Sequence, residues 1–170
     1  MRVSAAAVCR LLLHALLGAS VLGLALVLMA QASAQVARPR KPLVVIVAAN
    51  SKLRDISHAL LRRIFLGEAA EQQGLRWVPF NYPPDDPLRI AFDQQAFDLS
   101  PAAVGRYWVD RRIRGQGMPP RALASQTLLR AVVARLPGAI GYVTSDQLNQ
   151  SVRALTIDGI AYDRPNYQLR

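Results

Sequence analysis

Side chains able to make and break bonds are scarce in this sequence. Beyond Ala34, His58 is the only histidine and there is no cysteine, Cys9 being the chain's one thiol. That leaves no disulfide framework, no Cys-based zinc site and no thiol nucleophile. His58 follows Ser57 on the polar side of an amphipathic stretch, which suits a surface or capping role rather than that of a base. No Gly-x-Ser-x-Gly elbow, phosphate loop or dinucleotide fingerprint occurs. Asp85-Asp86 is the only adjacent pair of carboxylates, and neighbours on a turn cap more often than they catalyse. The expectation is a protein that is not an enzyme, with no cofactor and no metal.

Binding chemistry has more support. From Gln35 onward the chain carries 17 arginines and two lysines against 11 acids, a balance of +8. The planar guanidinium pairs with phosphate or carboxylate in a bidentate way, although an arginine-rich solvated surface explains the same count. Four helix starts each follow a short polar turn, and the free N–H groups of a helix start attract oxyanions. Ser51, Ser125 and Thr127 would add hydroxyl donors there, Arg89 and Arg106 charge. Capping of its own helix accounts equally well for each serine or aspartate. The candidate ligand-binding positions are Ser51, Asn81, Asp86, Arg89, Ser125, Thr127 and Gly141, at turns expected to line the crevice beyond the strand ends.

The elements that must position these residues follow from hydrophobic spacing. Leu43 to Ala49 is a β-branched run without alternation, as in a strand buried on both faces. Ile56, Leu60, Leu61, Ile64 and Phe65 recur at helical spacing, with Ser57 as N-cap and Gly67 as stop. Leu75 to Phe80 reads as a strand that Pro79 makes either an edge strand or a short one. Asp86-Pro87 and Ser100-Pro101 open two helices, and Ser125 opens a third that Pro137-Gly138 ends. Phe92, Tyr107 and Trp108 belong to the core, with the Tyr107 hydroxyl reaching the surface. Ala139 to Val143 and Val152 to Ile157 complete the strands. The expected fold is α/β, one domain with a central sheet flanked by helices.

The first 34 residues form no part of it. Arg2 and Arg10 precede an apolar run from Leu11 to Ala30, and Ala32-Ser33-Ala34 supplies the small residues of a cleavage site. This is the layout of a secretory signal. An uncleaved anchor is the alternative, since an almost unbroken apolar run of 20 residues suffices to span a bilayer. The expected organisation is a signal peptide or anchor over 1–34, a linker over 35–42 and a folded domain over 43–170. The protein is expected in the periplasm, free or held at the inner membrane.

Several segments then carry a resemblance. They are Ile64-Phe65-Leu66-Gly67, Trp77-Val78-Pro79, Pro87 to Phe92, Ser100-Pro101 with Tyr107-Trp108, Gly115 to Pro120, Pro137 to Tyr142, and Leu155 to Gly159. In this order they resemble the phosphate-binding protein family of bacterial phosphate ABC importers, especially its short exported members. The resemblance implies a single lobe of a type II periplasmic-binding-protein-like fold. It also implies capture of a small oxyanion for an ABC permease.

The family's signature is an arginine, then a Gly-Ser-Gly-Thr or Gly-Ser-Pro turn at a helix N-terminus. Here Tyr82 stands at the arginine position, Asp86 at the serine and Leu88 at the threonine. A carboxylate at a helix start satisfies the N–H groups itself and opposes a second anion. Two like charges about 4 Å apart repel by about 4 kcal/mol at an effective dielectric of 20, nearly three decades of affinity. Arg89 is expected to pair with Asp86. Two functions remain open: an oxyanion-capturing domain with an altered seat, or a non-transport interaction or structural module of the cell envelope on the same fold. The expected partners are a small oxyanion, an ABC permease or another envelope protein. Nucleic acid is not expected, and the membrane is contacted only through an uncleaved N-terminus.

Overall fold

The first described strand lies where the hydrophobic pattern places it. Strand β1, Leu43–Ala48, has its first five residues buried. The structure, a computed structural model, describes residues 41–68, 71–72 and 74–169. The expected signal segment, and the linker except for Lys41 and Pro42, lie outside the described residues.

After β1 come β2 (Asp55–Ile56), α1 (His58–Phe65), β3 (Glu71–Gln72), β4 (Leu75–Arg76), β5 (Val78–Asn81), α2 (Pro87–Phe97) and α3 (Pro101–Ile113). The chain continues through β6 (Arg121–Ala122), α4 (Gln126–Arg135), β7 (Ala139–Thr144), a 3-10 turn (Ser145–Gln147), β8 (Val152–Ala154) and β9 (Thr156–Ile157). The central sheet has the order β6-β5-β7-β1-β8. β5 runs parallel to β6 and β7, whereas β1 runs antiparallel to β7 and β8. The C-terminal tail closes against the start of β1, where the Leu43 N–H donates to the Leu169 carbonyl at 2.9 Å.

The alternation of β7 sends side chains to two layers. A Cβ on Gly141 would point at Leu129 of α4, so α4 covers one face. Tyr142 points the other way, stacked on Phe92 of α2 with ring centroids 3.8 Å apart and 6.0 Å from Phe65 of α1. Helices therefore cover both faces of the sheet, as the sequence leads one to expect, and the core lies on either side of it.

Two expected strands are shorter than their patterns. Leu75 to Phe80 breaks at Trp77, and Val152 to Ile157 breaks at Leu155, so that β9 pairs with β2 instead of extending β8. Of the two alternatives for Pro79 the short strand holds and the edge is corrected: β5 has four residues and sits between β6 and β7. The reason is that β6 is short. The Val78 N–H bonds to Gly138 on the β7 side, so alternation turns the Pro79 nitrogen toward β6. Pairing with β6 begins only at Phe80, so no hydrogen bond is lost.

Candidate functional site

Each helix start is closed by its own cap. Ser57, Ser100 and Ser125 accept backbone N–H bonds from Leu60, Ala103 and Leu128. Asp86 accepts from the Leu88 N–H at 2.8 Å. The sequence identifies all four caps, because Ser and Asp before a helix satisfy donors that the helix cannot. At α2 the cap is a carboxylate, so the positive end of the helix is met by the protein's own negative charge.

Behind this turn lies a buried polar cluster at the C-terminal ends of β5 and β7. The Asn81 side-chain oxygen accepts the Tyr142 hydroxyl and the Tyr82 N–H. The Tyr82 hydroxyl donates to the Tyr142 carbonyl at 2.8 Å, and their rings meet edge to face. Arg89 does not pair with Asp86, which corrects the sequence expectation. Its Nε donates to Asp93 at 2.5 Å, and Nη1 donates to the Tyr82 carbonyl at 3.2 Å. One helical turn separates Arg89 from Asp93, and both point inward, whereas Asp86 is held by its cap geometry.

Burial dominates the electrostatics. It raises the Asp93 carboxyl above its usual range even though the Arg89 charge and hydrogen bond pull the other way. It raises the Tyr82 hydroxyl strongly, with Asp86 adding to the effect and Arg130 opposing it. Tyr142 is pushed well above its ordinary range by burial, against the pull of Arg89. The two tyrosine hydroxyls keep their protons at neutral pH and serve as donors to fixed acceptors, Tyr82 to the Tyr142 carbonyl and Tyr142 to Asn81. Asp93 Oδ1 is buried without a partner, so the guanidinium saturates only one side of the carboxylate. Among the described residues no group of three His, Cys, Asp or Glu side chains is arranged to hold a metal.

The structure separates the sequence-predicted positions. Asn81, Asp86 and Arg89 lie together, and Ser125 and Thr127 stand at the same end of the sheet. There the Leu123 N–H, two residues before Ser125, donates to the Asn81 carbonyl at 2.8 Å, and Gln126 accepts the Thr144 N–H at 2.7 Å. Asn81 and Arg89 are buried and committed to protein partners, so neither is presented to solvent. Thr127 is exposed in the first turn of α4. Ser51 lies at the opposite end, because β1 is antiparallel to its neighbours, and six residues of strand span about 20 Å. Gly141 is a core position within β7, not a binding edge, because Leu129 lies where its side chain would be.

The sequence reading missed Asp93 and Tyr142. The Arg89–Asp93 spacing of four was a readable signal. The meeting of Asn81 with Tyr142, 61 residues apart, had none.

Solved structures share this fold. A phosphate transport receptor of the ABC type from Vibrio cholerae superposes with a TM-score of 0.60 at 14% identity, over 75% of this chain and 53% of that one. A putative phosphate ABC transporter substrate-binding protein from Clostridium perfringens, solved with bound phosphate, gives 0.58 at 15% identity, over 71% and 46%. PstS from Borrelia burgdorferi gives 0.51 at 11%, over 75% and 53%. The fold is that of phosphate-transport receptors. The chain spans about half the length of these structures. At such identities the likeness is one of fold alone. No family model matches the sequence, and no curated protein matches it. Among the described residues no helix is long and apolar enough to cross a membrane.

Proposed function

We propose that this protein is an exported domain of the solute-binding type whose oxyanion seat is closed. In this reading it acts in the cell envelope as an interaction module, not as a phosphate carrier. One observation carries it: the Asp86 carboxylate accepts the Leu88 N–H at the start of α2, where an anion would need that donor and the helix's positive end. The surroundings point the same way. Arg89, beside this turn, is buried and bound to Asp93. The +8 balance, carried mostly by exposed arginines, suits an acidic envelope partner.

The test is calorimetry of phosphate into the full-length protein and into Asp86→Ser. No heat is expected from the native chain at millimolar phosphate. Asp86→Ser removes the competing charge while keeping a capping oxygen, so any latent seat gains affinity there. Micromolar phosphate binding by the native protein, weakened by Thr127→Ala or Ser125→Ala, would overturn the reading and restore oxyanion capture for a permease.

A further inference from the structure

A concavity lies at the far end of the sheet from Asp86. Ser51, beyond the end of β1, opens onto a cavity of about 770 Å³. That is within the range in which proteins hold small organic molecules. Its apolar walls include Val47, Ile56, Leu60, Trp77 and Leu136, and its charged lining is Lys52, Arg135 and Asp55.

The three charges are not equivalent. Asp55 is occupied: its Oδ1 accepts the Gly159 N–H at 2.8 Å and the Thr156 hydroxyl, tying β2 to the turn after β9. Lys52 and Arg135 are exposed and hold no ion pair or hydrogen bond among the described residues. Their charges are left to whatever enters. The loop that carries Lys52 is held in place beforehand. Ser51 Oγ accepts the Leu53 N–H at 3.2 Å, and Arg54 binds the Ser51 carbonyl at 2.7 Å and the Leu53 carbonyl at 3.2 Å. Arg153 donates to the Ala49 carbonyl just before it. A wall that is already ordered loses little entropy when a ligand arrives. Buried in that lining, 6% exposed, Trp77 has an indole N–H without a partner.

We propose that this cavity is a binding site for a small amphipathic anion, an apolar body of about ten heavy atoms bearing one carboxylate. The body lies against Val47, Leu60 and Leu136, and the carboxylate meets Lys52 and Arg135. Inorganic phosphate is a poor occupant, since apolar walls strip its water without replacing the hydrogen bonds. The site uses no residue of α2, so it stands or falls separately from the closed seat.

Calorimetry on the full-length protein with octanoate, 3-phenylpropionate, octylammonium and inorganic phosphate tests it. Octanoate or 3-phenylpropionate is expected to bind, octylammonium about tenfold or more weakly, in line with two exposed charge contacts, and phosphate not at all. The two carboxylates distinguish an acyl from an aromatic occupant. The double variant K52E/R135E changes only exposed side chains and is expected to reverse the preference toward octylammonium. Leu136→Glu, at a position 39% exposed, places a like charge in the wall and is expected to weaken carboxylate binding about tenfold or more. Absence of carboxylate binding, equal binding of the two octyl ions, or binding that survives both variants would overturn the proposal. Survival in both would place the binding elsewhere in the chain.

Discussion

Asp93 shows what a single side chain decides. It lies one helical turn from Arg89, and the pair is taken out of water where α2 covers Tyr82 and Tyr142. Removing one partner of a buried ion pair strands the other, at a cost of about 3–5 kcal/mol. Asp93→Ala is expected to fall in that range by urea unfolding, and Asp93→Asn, which keeps an acceptor for the guanidinium, to cost less. A double replacement, Arg89→Met with Asp93→Leu, is expected to be near neutral, since apolar groups of similar volume satisfy the same space. Equal costs for the alanine and asparagine variants would show that the guanidinium is not held by this carboxyl. The residue scale is also where the sequence is most legible. Ser57, Asp86, Ser100 and Ser125 announce their caps because the bond each makes lies within its own turn. Arg89 shows the limit: its partner depends on which side of α2 faces inward.

Among the elements, the contact of α4 with β7 is the most demanding. A Cβ on Gly141 would stand 2.6 Å from Leu129 Cδ2, closer than packed atoms approach. Gly141→Ala is expected to destabilise the domain by about 1–3 kcal/mol, as overpacking does. Leu129→Ala in the same chain should recover part of that cost, a coupling measurable in a double-mutant cycle. Additive losses would mean that α4 moves aside freely. A second junction joins α1 to α3: Gly67 adopts a positive φ of 71° and lies against Trp108, while Arg111 and Tyr107 bind the Gly67 and Leu66 carbonyls. Half-buried, the Tyr107 hydroxyl thus serves as a fastener at the surface rather than a free group. Helix boundaries were readable from caps and stops. Strand boundaries were less so, since the breaks at Trp77 and Leu155 depend on where neighbouring strands end.

At the scale of the whole domain, burial gives the protein a particular response to base. Burial drives Tyr167 to about 12 from an ordinary value of 10.0, and lifts Tyr82 and Tyr142 as well. The folded state therefore keeps protons that the unfolded chain gives up. Below about pH 10 these groups leave stability unchanged; as pH rises from 10 toward 12 the unfolded state gains and stability falls. Phenolate absorbance from these residues is expected to appear together with loss of circular dichroism. Their titration near 10 in a protein that remains folded would contradict the packing. The domain also presents an Asp86 capped inward at one end of its sheet and a cavity with two unpaired cations at the other. A thermal-shift panel should therefore respond to amphipathic carboxylates and not to phosphate.

The order of the helices, their caps, the buried strand β1 and the α/β class were determined by the sequence alone, because each rests on periodicity or on a hydrogen bond between near neighbours. Tertiary structure alone decided the direction of β1. Running antiparallel to β7, it carries Ser51 away from Asn81 and Asp86 and delivers it to the cavity at the far end of the sheet. It alone brought Asn81 to Tyr142, and turned Pro79 toward a neighbour too short to need its missing N–H. Strand direction and inward orientation depend on partners tens of residues away, and no local pattern in the chain records them.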